Sequence, residues 1–468
     1  MHRYSILLIV NIIRTDNWTL TSDRAQRRML RDTVTIYRVY VQALIGVVWT
    51  HYSDIVHAKS SCAAVERLIH ATKRNPSPVY RFFDRRFPKF PAYYRRAAIE
   101  AALGQVSSFV TRYNTWQSGQ RRRRTALPPA RTNEHTLNPP LYRGQCLKFD
   151  ITVSVASIKV WSGTDWIWID LPIRTKRHRH TVSANKALSP TLLTSGKTIR
   201  LSVPFESSIS FTPKKRIQRI CAIDLGINTT ATASILTPDG TVVARRFFHR
   251  AADIDRRDKG LVQIRQKARQ TTGSPGVLST GFCASAYRKA GNRNLDMARR
   301  LSGYILAFAS EYHAQAIVFE YLTHFRPRAG RAKSTLRQRF HGWLHRQLTT
   351  LVQERAEEAK IRTEFVSPVD TSKYAFDGSG VVSRNPTNRA LATFTAGKQY
   401  SADLSASYNI GARFFVRILG LNVSNNNACG VGKSSRTQPR TPVTLSTLWY
   451  AHRHREGEHE AATTLSHG

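Results

Sequence analysis

RICAIDLGIN (residues 219–228) is an apolar run that closes on an aspartate, Asp224. ATASILT (231–237) and TVVARRFF (241–248) follow it, and the three runs predict consecutive strands, the last two joined at the Pro238-Asp239-Gly240 turn. After a basic, mostly helical stretch from Asp253 to His313 comes AQAIVFEYL (314–322), a strand that closes on Glu320. The apolar residues Leu336, Phe340, Leu344, Leu348, Leu351, Val352, Ala356 and Ala359 then recur at helical spacing, and RTEFVSP (362–368) reads as another strand. A Gly/Ser/Asn-rich irregular insert separates it from the amphipathic helix ADLSASYNIGARFF (402–415), which Asp403 opens. Three meander strands followed by alternating helices and strands predict a mixed sheet flanked by helices, an α/β fold.

Each acidic residue stands where a strand end or helix start would hold it against the other two. Alone, each has an ordinary reading: Asp224 as a turn residue, Glu320 as an exposed strand end, Asp403 as an acid favoured by a helix N-terminus. Together they have another. A buried carboxylate is costly unless its charge is compensated, and three that converge repel one another. The usual resolution is a hard divalent cation bound through oxygen.

Composition identifies the kind of partner. The chain carries 72 Lys and Arg against 30 Asp and Glu, a formal charge of +42 over 468 residues. Charge of that size opposes compaction unless a polyanion neutralises it, and nucleic acid is the obvious one. An acidic cluster in such a chain points to a metal-dependent nuclease. The one long apolar run, YSILLIVNII (4–13), is far short of a bilayer span and has no small-residue cleavage site, so it is expected to be a buried strand and no membrane partner is expected. Cys62, Cys146, Cys221, Cys283 and Cys429 are odd in number, dispersed and without a CxxC pair. Neither a disulfide framework nor a zinc site follows, and a reducing, cytoplasmic setting fits.

The first half of the chain is organised differently. Met29, Val34, Tyr37, Val41, Leu44 and Val48 recur at helical spacing within 23–57, and a second helical stretch runs from Ala92 to Trp116. Gly119 to Pro140 reads as a linker or exposed loop with the run Arg121, Arg122, Arg123 and Arg124. From Leu147 to Phe211 short alternating segments predict β structure, a small barrel or sheet. Trp161, Trp166 and Trp168 fit a core better than a base-stacking platform there. The basic run RTKRHRH (174–180) interrupts this region, and its Lys176, Arg177 and Arg179, with Lys214, Lys215 and Arg216, join the four arginines as candidate nucleic-acid contacts.

CAIDLGINTTATASI, AIVFEYL, and VSPVDTSK through ADLSASYNI resemble, in order and strand context, the three RuvC motifs of the TnpB proteins and the compact Cas12 nucleases. The similarity covers roughly 211–420. It implies a ribonuclease H-like (RuvC) nuclease domain there, with a helical insert at 251–313 and a target-nucleic-acid insert at 371–402. It further implies an oligonucleotide-binding (wedge) β-barrel from 1–20 and 140–210, a helical recognition lobe at 21–139 and a flexible tail at 421–468. In that family the three acids, here Asp224, Glu320 and Asp403, bind two magnesium ions, for which manganese may substitute, and cleave target DNA selected by a guide RNA. Family members usually carry a pair of CxxC motifs in the insert; TSKYAFDGSG (371–380) and FTAGKQYSAD (394–403) contain no cysteine, Ala375 and Gly378 stand where the first pair would, and no zinc is expected. Ser405 stands where the family often has Asn. The implied setting is the cytoplasm of a prokaryote, on the nucleoid when DNA is bound. A nuclease-inactive RNA-guided repressor and a guide-independent transposase or resolvase on the same fold are the alternatives. An intact acidic triad speaks against the first, and the large basic N-terminal half against the second.

Overall fold

The computed structural model describes residues 8–120, 137–174, 180, 186–226, 229–249, 251–272, 279, 281–322, 345–385, 388, 390–421 and 442–454. The chain is mixed α/β and divides into two compact units, Asn11–Ser208, and Ile209–Gly468 together with Met1–Val10.

In the first unit α1 (Arg24–Thr50) starts at a capping box, Asp23 accepting from the Gln26 amide while the Gln26 side chain accepts from the Asp23 amide. Leu30, Val34, Tyr37, Val41, Leu44 and Val48 form its buried stripe. By length and composition α1 could cross a bilayer, which the search for a single apolar run missed; half of that stretch is buried inside the unit, as in a core helix. α2 (Tyr52–Val56), α3 (Ser61–Ile69) and α4 (Phe82–Arg86) lead to α5 (Ala92–Gln117), which packs along α1, with Tyr37 donating to the Ala97 carbonyl at 3.1 Å. The strands β1 (Leu8–Leu20), β2 (Leu147–Phe149), β3 (Val155–Trp161), β4 (Trp166–Pro172), β5 (Lys186–Ala187), β6 (Thr191–Ser195) and β7 (Thr198–Phe211) form two sheets. One has the order β1-β7-β5 with β6 also on β7; the other is the meander β2-β3-β4.

Two sequence expectations change here. The β region is not a closed barrel among the described residues: the sheets meet at an isolated bridge, Leu20–Ile173, next to Pro172, which has no amide hydrogen to continue a ladder. β1 is also not buried on both faces, since Ile12, Asp16, Trp18 and Leu20 point inward while Ile9 and Ile13 are exposed. Of the tryptophans, Trp166 packs against Phe90 and Tyr94 in the core, whereas Trp168 is exposed under the Lys148 ammonium, 4.8 Å from its ring.

The second unit is built on β8 (Ile220–Asp224), β9 (Ala231–Leu236), β10 (Val242–Phe248), β11 (Ala316–Glu320) and β12 (Arg362–Val366), in the order β10-β9-β8-β11-β12. The first three are antiparallel, as the three consecutive runs predicted, and β8, β11 and β12 are parallel. Period two sorts the central strands cleanly. Cys221, Ile223, Ile317 and Phe319 face one core with α7 (Ala284–Glu311) and α8 (His345–Glu358); Ile220, Ala222, Ala316 and Val318 face another with α9 (Ala402–Leu419). α6 (Ala251–Thr272) pairs with α7. Of the periodic residues read between β11 and β12, Leu348, Val352 and Ala356 are buried on α8, while Leu336, Phe340 and Leu344 lie outside the described residues. Gly411 lets α9 lie close on the sheet: a Cβ there would stand 2.9 Å from Leu236 Cδ1 and 3.3 Å from Ala222 Cβ.

The insert expected to be irregular is folded. β13 (Ser383–Arg384), β14 (Leu391–Thr393) and β15 (Gln399–Ser401) form a small antiparallel sheet. Phe376 is its anchor, with ring centroids 5.7 Å from Phe394, 5.0 Å from Tyr400 and 5.2 Å from Tyr408 of α9. Ala375 is fully buried beside it. An apolar cluster thus holds the insert on α9. The segment expected to be a flexible tail contains a further helix, α10 (residues 445–454), with Leu445 and Leu448 buried in the same core. It is fixed by the Ser446 amide donating to the Phe376 carbonyl at 2.9 Å and Trp449 Nε1 donating to the Gly240 carbonyl at 2.8 Å.

Gly378 has φ +79° and a Cβ there would overlap Ser446 Oγ, whereas Gly397 has φ +80° and open space around it. Both Gly→Ala changes incur backbone strain of about 1–2 kcal/mol. Only Gly378→Ala should undock α10, seen by hydrogen exchange as lost protection at residues 445–454; equal protection in both variants would contradict this packing.

Candidate acidic site

β8 and β11 are parallel neighbours in register from Ile220–Ala316 to Ile223–Phe319. The next position on each is a carboxylate, Asp224 and Glu320, at the C-terminal ends of strands roughly 5 Å apart. By the parity that sends Ile220, Ala222, Ala316 and Val318 towards α9, both acids lie on the α9 face. Asp403 is in the first turn of α9, whose N-cap Ser401 accepts from the Leu404 amide. The chain leaves β8 through Gly226, where any Cβ would collide with the Thr229 carbonyl, so the turn after Asp224 requires glycine. Sheet, close-packed helix and turn bring together the three acids that the sequence scatters over 180 positions.

Their electrostatics bear this out. Burial, then Glu320, then Asp403 push Asp224 well above the usual carboxylate range, against smaller opposing effects of Arg384 and the Leu225 amide. Glu320 is also raised by burial, with the Thr371 hydroxyl and the Arg413 guanidinium pulling it back. Asp403 is raised by burial, opposed by Arg384, the Thr229 hydroxyl and His249. Asp224 is the one of the three that both other carboxylates push upward.

The donor set is oxygen-only and anionic, which suits a hard cation such as magnesium and not zinc. The rotamers are not closed on a common point: among the described residues no group of three His, Cys, Asp or Glu side chains is placed to hold an ion. Glu320 Oε1 accepts from Thr371, and Asp403 accepts from Thr229. The donor chemistry of the three acids fits such ions.

Sequence reading missed Thr371, Thr229, Arg384 and Arg413, all of which act on the acids. Thr371 was legible within the TSK run; Arg384 was not, because the short β13 that carries it has no periodic signal. Of the basic candidates, Lys214 is engaged with Glu364 at 2.7 Å, and Lys215 and Arg216 are exposed. Arg121 to Arg124, Lys176, Arg177 and Arg179 lie outside the described residues. A basic cleft the sequence did not single out lies between α6 and α7, about 310 Å³, lined by Lys267, Lys289 and Arg293 and by Arg257, which is buried and ion-paired with Asp258 at 2.8 Å. A second cavity of about 320 Å³ in the N-terminal unit is lined by Phe87, Phe90, Trp161 and Trp166, and neither cavity touches the three acids.

The Aq_aa04 family matches residues 14–162, under half of the chain. None of the curated proteins matches. Among solved structures the chain is similar to a Cas12f1–sgRNA–target DNA complex (13% identity, 85% of this chain and 98% of that chain covered, TM-score 0.31). It is similar to the mini-RNA-guided endonuclease CRISPR-Cas phi3 (10%, 86% and 92%, 0.49). A third is C2c1 of Alicyclobacillus acidoterrestris with single-guide RNA (10%, 83% and 69%, 0.41). These likenesses are of fold alone.

Proposed function

We propose that the chain is an RNA-guided DNA endonuclease of the TnpB and compact Cas12 kind, hydrolysing phosphodiesters at Asp224, Glu320 and Asp403 on a ribonuclease H-like (RuvC) domain. The observation that carries this reading is the half-buried carboxylate triplet at the end of a β10-β9-β8-β11-β12 sheet, in which burial first and then the other two acids force Asp224 up. Such a cluster opposes folding unless a cation compensates it. Asp224, Glu320 and Asp403 would hold two magnesium ions, which when bound activate water and stabilise the departing 3′ oxygen. The chain's own residues do the rest. Thr371 and Thr229 hold two of the carboxylates, Arg384 sets a positive charge beside Asp224 and Asp403 where a scissile phosphate would lie, and the α6–α7 cleft offers cations for a nucleic-acid backbone. Guide RNA and target DNA are the partners that the +42 charge and the motif order suggest, base pairing selecting the sequence and Lys and Arg holding the backbone.

The test is paired cleavage and binding by the protein with its co-purified RNA. Asp224→Ala, Glu320→Ala or Asp403→Ala each removes several kcal/mol of charge stabilisation, and cleavage should fall by about 10³-fold at roughly 1.4 kcal/mol per tenfold. Guide-programmed binding of the same duplex should stay within about threefold of wild type, since base pairing and backbone contacts provide it. Wild-type cleavage by both Asp224→Ala and Asp403→Ala places the chemistry elsewhere; a wild type that binds but never cuts is a repressor; nucleic-acid-free protein that cuts unaided removes the guide.

Linkage gives a second check. An acid whose folded pKa is raised contributes a penalty that begins above its unfolded value, about 3.9 for Asp, and grows until pH passes the folded value. Cation-free protein should therefore lose stability as pH rises from about 4 to neutrality, and Asp224→Asn should flatten that decline and raise Tm at pH 7. Magnesium at about a hundred times its Kd should raise the wild-type Tm by about 5–10 °C and leave Asp224→Asn nearly unmoved. An identical response of the two proteins would contradict a cation at Asp224. Metal analysis should find no stoichiometric zinc, because the insert is held together by Phe376 and its neighbours.

A further inference from the structure

Thr371 is only 2% exposed, and its hydroxyl donates to Glu320 Oε1 with the Pro368 carbonyl as a competing acceptor at 3.2 Å. A hydroxyl has one hydrogen, and the carboxylate is the stronger acceptor. The backbone of Thr371 is fixed in turn by Asn409 of α9. Asn409 Nδ2 donates to the Thr371 carbonyl at 3.0 Å and to the Tyr374 carbonyl at 2.9 Å, and its Oδ1 accepts from the Leu445 amide of α10 at 3.1 Å. Asn409 is fully buried, and both amide hydrogens and the amide oxygen are used inside the protein.

We propose that Thr371 is a positioning residue for Glu320, and that Asn409 and α10 form the frame that holds Thr371 in place; this rests on the reading of the three acids as one cation site. The connection runs from Asp403 along six residues of α9 to Asn409, across to Thr371, and through one hydroxyl to Glu320. It fixes the two outer carboxylates relative to each other without passing through the sheet that carries Asp224. The hydroxyl engages Oε1, so Oε2 of Glu320 is the oxygen proposed to meet a cation, and the hydrogen bond restricts the orientations the carboxylate must search. Thr371→Val keeps the shape of the side chain and deletes only the hydrogen bond, so Glu320 would lose its orientation while the fold stays.

The experiment uses the full chain with its co-purified RNA, and compares wild type, Thr371→Val, Thr371→Ser, Thr371→Ala and Glu320→Gln. Three quantities are read: the magnesium concentration giving half-maximal cleavage, the manganese concentration at the midpoint of the cation-induced Tm rise, and guide-programmed DNA binding. Loss of the group that orients a metal-binding carboxylate typically weakens metal affinity 10–100-fold. Thr371→Val should raise both cation midpoints about tenfold with DNA binding unchanged, and Thr371→Ser should restore them. If Thr371→Val fails to bind DNA, the same contrast is read between Thr371→Ser and Thr371→Ala, which adds no bulk. Wild-type cation midpoints in the hydroxyl-free variants, with Glu320→Gln inactive, would overturn the role of Thr371 and leave the acidic site standing. A fully active Glu320→Gln would overturn the site and the role together.

Discussion

Asp224 is a half-buried carboxyl group at the end of a sheet, with Glu320 and Asp403 near enough to act on it, and the strand pairing and helix packing around it bear on that repulsion. Parallel pairing sets Glu320 level with it on the next strand; Gly411 lets α9 approach until Asp403 joins them. Left uncompensated, the three charges raise the free energy of the folded chain. Burial and like charge both oppose ionisation, and the donors available, Thr229, Thr371 and the guanidinium groups of Arg384 and Arg413, act mainly on the outer two acids. A fold that keeps such a cluster gains stability when a cation enters it, so the same residues couple ligand binding to folding.

The insert is held together by aromatic packing. Phe376, Phe394, Tyr400 and Tyr408 pack edge-on or tilted at 5–6 Å centroid distances, the geometry that aromatic quadrupoles favour. Ser405 accepts from the Phe376 amide at 3.1 Å, giving a use to the hydroxyl at the place where an amide was expected. α10 completes the cluster from far along the chain, so the insert depends on a segment some seventy residues away for its packing.

Much of this was legible in the sequence. The strands around Asp224 and Glu320 are continuous apolar runs because they are buried on both faces, and α9 announces itself by period and by Asp403 at its start. What was not legible has physical causes. Alternating β segments do not reveal whether a sheet closes, and Pro172 at the meeting point was an unread sign that it does not. An insert rich in Gly, Ser and Asn looked irregular because three very short strands leave no periodic trace. Leu445, Leu448 and Trp449 read as a tail because their partners, Phe376 and Gly240, are distant in sequence. The orientation of Glu320 was out of reach for the same reason: the hydroxyl that holds it comes from a loop 51 residues on.

The central claim is that Asp224, Glu320 and Asp403 form one cation site rather than three separate acids. Electron paramagnetic resonance of manganese titrated into the full chain with its co-purified RNA tests it most directly. Two ions per chain with the broadened signal of a spin-coupled pair in wild type, reduced to uncoupled or absent binding in Asp224→Asn, is the predicted result. Uncoupled binding in wild type that Asp224→Asn leaves unchanged would contradict it.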